Sequence, residues 1–207
     1  MLNGRPYSIE KLAQQVPAIV EGWYLGQETG NAIAGVLFGD VNPSGHLPVT
    51  IARNVGQLPV YYYKTPAARR GYVFDENTPL FPFGFGLSYT TFSYSKPTVD
   101  PGKLSAKEKA KVSVLVTNTG SRAGDEVVQM YIHHPVSSVV QPIIVLRGFK
   151  RVHLNAGESA TVTFDVSTEE LSILDAQMKR TLEPGKVDVL VGANSAETST
   201  VELTVVP

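Results

Sequence analysis

The 207-residue chain contains no cysteine, which removes disulfides, thiolate nucleophiles and cysteine–zinc sites together. It has no charge excess either: 18 Lys and Arg face 19 Asp and Glu, a formal net charge of −1. A chain so balanced carries no electrostatic footprint for nucleic acid or an anionic membrane surface, and neither is an expected partner. No apolar run approaches the ~18–20 residues that span a bilayer as a helix. The opening stretch, MLNGRPYSIE, lacks a basic segment followed by the apolar core of a signal peptide. What is present is an ordinary globular composition, 43% hydrophobic and 18% charged, sufficient for one or two domains of ~100–150 residues.

Residues 1–65 read as α/β. Ala18 to Trp23 is a short, mostly apolar run bounded by Pro17 and Gly26, the pattern of a strand. Ile33, Val36 and Leu37 fall at helical spacing within 31–38, and Gly39 follows where a helix end favours a left-handed residue. Asn42 to Gly45 is a turn signal, and Leu47 to Ile51 reads as another strand. Two strands and one helix cannot enclose a core, so this segment is expected to be the end of a larger domain.

Residues 66–94 are aromatic-rich and interrupted by Pro66, Pro79, Pro82, Gly71, Gly84 and Gly86, which reads as an ordered connector. From 95 to 207 the pattern is all-β. Val112, Val114 and Val116 alternate with Ser113, Leu115 and Thr117, and Val127, Gln129 and Tyr131 with Val128, Met130 and Ile132. Similar alternation recurs over 160–166, 187–191 and 201–205. Turn signals at 118–120, 155–157 and 183–185 separate these runs, and Ser167 to Glu170 matches a capping box. Six or seven short strands in this space predict an immunoglobulin or fibronectin type III-like sandwich.

Three stretches resemble glycoside hydrolase family 3, of the bacterial β-glucosidase type. They are WYLGQETG (23–30) with its continuation to Thr50, PLFPFGFGLSYTTF (79–92), and a set in the last part. That set comprises 114–118, GSRAGDEVVQ (120–129), LRGFKRV (146–152) and Glu183 to Gly185. The resemblance implies the end of an α/β sandwich, a connector and a complete fibronectin type III-like domain. Members of this type carry a (β/α)8-like barrel and the rest of the sandwich before these parts. The resemblance places the nucleophilic aspartate in the barrel and the acid/base glutamate upstream of the point matching Leu2. Neither has a counterpart here, so no catalytic residue is assigned, and a retaining mechanism needs both carboxylates, ~5–5.5 Å apart. No cofactor is expected. By the same resemblance, the remaining catalytic domains are the expected partners. β-Glucosides or oligosaccharides would be substrates only of the complete enzyme, and full-length relatives would be periplasmic or secreted.

Two residues stand as substrate-binding candidates. Glu28 could line the rim of a sugar site or complement a helix dipole in the first turn. Trp23 could stack on a sugar ring or pack at the sandwich edge. Arg69, Arg70 and Asp75 could pair with one another or form a solvated cluster. His133 and His134, adjacent on a strand, point to opposite faces and cannot jointly chelate one metal, and His46 and His153 show no ligand spacing, so no metal site is assigned. Asp125 and Glu126 read as a hairpin rim that keeps a strand edge soluble. An alternative function, a non-catalytic carbohydrate- or protein-binding sandwich, requires exposed aromatics on one face. After Ser95 the aromatics are Tyr131, Phe149 and Phe164, and alternation puts Phe164 on the apolar side.

Overall fold

The computed structural model describes residues 1–66 and 76–207. The first part holds two short helices, α1 (Glu10–Gln15) and α2 (Thr29–Leu37), with single 3-10 turns at Gly26–Glu28 and Val55–Gln57. Eleven strands follow among the described residues: β1 (Phe92–Tyr94), β2 (Thr98–Asp100), β3 (Lys103–Leu104), β4 (Ala110–Asn118), β5 (Gly124–His133), β6 (Val145–Leu154), β7 (Ser159–Val166), β8 (Ile173–Leu174), β9 (Arg180–Thr181), β10 (Gly185–Gly192) and β11 (Thr198–Val205). The one-turn helix α3 (Thr168–Leu171) follows β7. Its capping box is complete: the Ser167 hydroxyl accepts from Glu169 N–H, and the Glu170 carboxylate accepts from Ser167 N–H.

Two sheets make the sandwich. In the first, β4 pairs with β1, β2 and β7; in the second, the order is β3-β11-β10-β5-β6. Alternation decides which side chains meet between them. Val112, Val114, Val116, Val162, Phe164 and Val166 from one sheet pack with Val128, Met130, Ile132, Val187, Val189, Val191, Leu203 and Val205 from the other. Every one of these is at most 5% exposed, so this part of the chain closes its own core.

Asn118 ends β4 inside that core, fully buried. Its amide nitrogen donates to the carbonyls of Arg122 (2.7 Å) and Leu154 (3.0 Å). Its oxygen accepts from Thr90 Oγ1 (2.6 Å) and Gly120 N–H (3.1 Å). The turn 118–120 therefore carries the chain from the first sheet to the second and holds both to Thr90.

The first part behaves differently. Before residue 90, Ile51 and Ala52 are the only buried apolar side chains among the described residues. Helix α2 forms where expected, with Gly39 at φ +82°, but it buries no residue, and Leu37 and Phe38 are 64% and 83% exposed. The strand expected at 18–23 does not form: among the described residues, Gly22 N–H and Val20 C=O bond to the backbone of Met1, and no ladder lies alongside. An apolar run becomes a strand only when a neighbour supplies hydrogen bonds. The expected strand 47–51 is likewise reduced to a few antiparallel contacts, Gly84 N–H to Leu47 C=O, Leu47 N–H to Phe85 C=O and a bridge between Ile51 and Phe81.

Replacing Asn118 with leucine leaves the hydroxyl of Thr90 and the carbonyls of Arg122 and Leu154 without these partners in a closed core. The expected loss is about 3 kcal/mol or more, measured as a lowered denaturation midpoint of the chain.

Candidate functional site

The most built-up polar region is the joint where the α/β part and the connector lie against the outer face of β5. Alternation sends Val128, Met130 and Ile132 inward, and puts Gln129 and Tyr131 on the opposite face. Those two would be solvent-facing in a free sheet, yet Gln129 is 3% exposed and Tyr131 fully buried. Side chains from the end of the α/β part and from the connector cover them. Tyr62 stacks on Phe83 with ring centroids 4.1 Å apart and meets Tyr131 edge-on at 6.0 Å.

A buried amide must be bonded on all sides, and Gln129 is. Its amide nitrogen, Nε2, donates to the carbonyls of Gly84 (3.1 Å) and Ala193 (2.6 Å), and its Oε1 accepts from Tyr131 Oη (2.5 Å). Ser195 N–H donates to Phe83 C=O (3.0 Å), so the connector is also pinned to the β10–β11 turn. Gly84 has φ +80°, and a Cβ there would lie 2.1 Å from Gln129 Oε1. The glycines at 84 and 86 thus serve close backbone approach.

Further contacts extend the joint. Asn42 donates to Ala123 C=O (2.9 Å) and accepts from Ser88 Oγ and Tyr89 N–H. Arg122 donates to Gly39 C=O (2.7 Å), and Tyr89 Oη to Val36 C=O (2.5 Å), tying the end of α2 to the sandwich. Glu126, 6% exposed, accepts from Tyr94 Oη (2.5 Å) with His46 close enough to act on its charge.

Glu126 corrects the reading of residues 125–126 as a soluble rim. It shares its strand face with Val128 and Met130, so it points inward at the sandwich end. Burial pushes its carboxyl above the ordinary glutamate range, only partly opposed by the Tyr94 bond and by His46. Burial and the Glu126 charge push the Tyr94 phenol up in turn. Asp125 faces the other way and binds two side chains across the ladder, accepting from Arg151 Nε (2.6 Å) and from His153 Nδ1. The His153 bond, followed by Arg151, holds its carboxyl low.

The sequence candidates lie apart from this joint. Trp23 is half-buried with φ +48°, its N–H donating to the Glu21 carboxylate (3.0 Å). Glu28 is exposed at the start of α2, accepting from Asn31 Nδ2 (2.6 Å). Among the described residues no group of three His, Cys, Asp or Glu side chains is placed to hold a metal. Arg69, Arg70 and Asp75 lie outside the described residues.

Comparison with known proteins matches this geometry. Residues 1–89 match the glycosyl hydrolase family 3 C-terminal domain, and residues 126–195 a fibronectin type III-like domain. A β-xylosidase of Formosa agariphila is 47% identical over 99% of this chain, and a periplasmic β-glucosidase of Salmonella typhimurium 45% identical over 95%. A β-glucosidase structure from Erythrobacter marinus superposes with a TM-score of 0.96 at 47% identity over 99% of the chain. The chain belongs to glycoside hydrolase family 3. It corresponds to the C-terminal part of the β-glucosidase and β-xylosidase members, and spans only 29% and 27% of the Formosa and Salmonella proteins and 27% of the Erythrobacter chain. In the terms of this family, the joint is where the end of the family's C-terminal domain seats on its fibronectin type III-like neighbour.

Two substitutions probe it. Gly84→Ala must relax a left-handed backbone and move the Gln129 amide, an expected loss of about 1–3 kcal/mol, read by thermal unfolding with the sandwich still folded. Glu126→Gln tests the buried carboxyl. A native pKa raised above the unfolded value gives stability that is present at low pH and lost as pH rises through the native pKa. The glutamine variant, which cannot ionise, should melt higher than the parent at neutral pH and equal to it near pH 4, as a pH series of melting curves would show.

Proposed function

We propose that this chain is the non-catalytic, bracing portion of a retaining, exo-acting family 3 glycosidase of the β-glucosidase type. The observation that carries the reading is the contrast between its two ends. The sandwich closes its own core, whereas the α/β part leaves Tyr24 (85% exposed), Phe38 (83%), Val55 (78%) and Leu37 (64%) uncovered. Side chains of this kind need cover, and the chain covers under a third of the length of the relatives named above. The remaining catalytic domains of the same enzyme are the proposed cover and the proposed source of both catalytic carboxylates. We divide the chain accordingly into 1–65, the connector 66–94 and the terminal domain 95–207, with β1 joined to the last by its pairing with β4.

In this reading, Glu28 supports the start of α2 and Trp23 packs at the sandwich edge. β-Linked glucosides or short oligosaccharides are the proposed substrates of the complete enzyme, consistent with relatives named as β-glucosidases and β-xylosidases. The aromatic positions weigh against a carbohydrate-binding sandwich: Tyr131 and Phe164 are buried, and Phe149 alone is exposed among the aromatics after Ser95. A sugar-stacking face needs several.

The purified chain should release no chromophore from nitrophenyl β-glucoside or β-xyloside above the buffer blank. Turnover abolished by substitution of a carboxylate within the chain would overturn the proposal.

A further inference from the structure

The stretch LRGFKRV contains an irregularity that alternation alone does not explain. Along the β5–β6 ladder, Met130 pairs with Gly148 but Tyr131 pairs with Leu146, so Arg147 is skipped as a β-bulge. A bulge leaves one residue unpaired and re-aims its side chain. The backbone beside it is satisfied from outside the sheet, since Leu146 N–H donates to Tyr62 Oη (3.3 Å). Arg147 itself reaches Ser172 C=O through one terminal nitrogen (3.4 Å).

Its Nε is buried with no hydrogen-bond partner among the described residues, and so is Nε2 of His134. Both residues line one cavity of about 10 Å³, closed in by Ile132, Gln141, Pro142 and Val145. Three of its six walls can hydrogen-bond, and two supply polar atoms that lack a partner. A buried donor left unbonded costs about 1–3 kcal/mol, which a bulge that turns Arg147 inward would otherwise add to the fold.

We propose that this cavity is a binding site for one water molecule, which accepts a hydrogen bond from Arg147 Nε and pairs with His134 Nε2. The size fits a single water, for which roughly 10–15 Å³ of this kind of space is needed. The charge fits a neutral ligand better than an anion. Arg147 and Arg180 are offset by Glu170 near Arg147 and by Glu183 near His134. Burial, followed by the Arg147 charge, disfavours the charged imidazole. Water serves His134 Nε2 in either neutral tautomer, whereas chloride can only accept. Held in this way, the β5–β6 loop is fixed to the bulge, and through Tyr62 to the end of the α/β part. His133 lies on the opposite strand face, outside the cavity.

A high-resolution crystal structure of the 207-residue chain, with a parallel bromide soak, tests this. The expected result is one peak within hydrogen-bond distance of Arg147 Nε and His134 Nε2, with no anomalous bromide signal. Arg147→Met should lose the peak; if that variant does not fold, His134→Phe, which fills the cavity, should lose it instead. A dry cavity, a bromide peak, direct pairing of the two side chains, or a peak unchanged in either variant overturns the assignment.

Discussion

The arrangement depends on β5 being covered on both faces. Its inward side chains belong to the sandwich core, and its outward ones, Gln129 and Tyr131, lie under Tyr62 and Phe83. A carboxamide removed from water has to find partners for two donors and an acceptor within narrow limits of distance and angle. Gln129 finds them in Gly84, Ala193 and Tyr131, three different parts of the chain. The connector can therefore occupy one position on the sheet. A shift of one residue would separate Gly84 from the amide and put a side chain where only a glycine fits.

That constraint gives the two ends of the chain different roles. The sandwich has a complete apolar core and six strands of eight to ten residues. The α/β part has α1 and α2, neither burying a residue, and it is held through its contacts with the connector and the sandwich. Stability thus flows from the closed unit to the open one. For a segment whose apolar side faces outward, being held in place by a stable neighbour is what allows a second surface to meet it in a fixed orientation.

Most of the sandwich was legible because burial on one face imprints a period of two, as in Val112, Val114 and Val116. The capping box at Ser167 was legible for an equally local reason. Strand β6 was not, because Phe149, Lys150 and Arg151 are exposed in succession and the bulge at Arg147 breaks the period. Residues 18–23 failed in the opposite sense: their composition suits a strand, but a ladder is a property of two segments, and among the described residues none pairs with this one. Glu126 was readable and was missed. It has the parity of Val128, Met130 and Ile132, so strand period alone puts it inward, against the habit of reading adjacent acids as surface. The close approaches at Gly84 and the partner of Tyr94 depend on distant chain segments, and no local pattern encodes them.

The sandwich and the joint are held by different physics. Between the sheets, valine and leucine contacts are non-directional, and such a core accepts small adjustments as long as volume is conserved. At the joint the buried contacts are directional: Gln129 to Gly84, Asn118 to Thr90, Glu126 to Tyr94, Tyr62 to Leu146. Each contributes modestly to net stability, because its groups were bonded to water before folding. What each adds is a large penalty for any other alignment, in which a buried polar group would be left alone. A chain that only had to fold could have covered β5 with apolar side chains. On the proposed reading, in which the chain presents its α/β face to further domains, an interface that tolerates a single arrangement is required, and polar groups buried in pairs provide it.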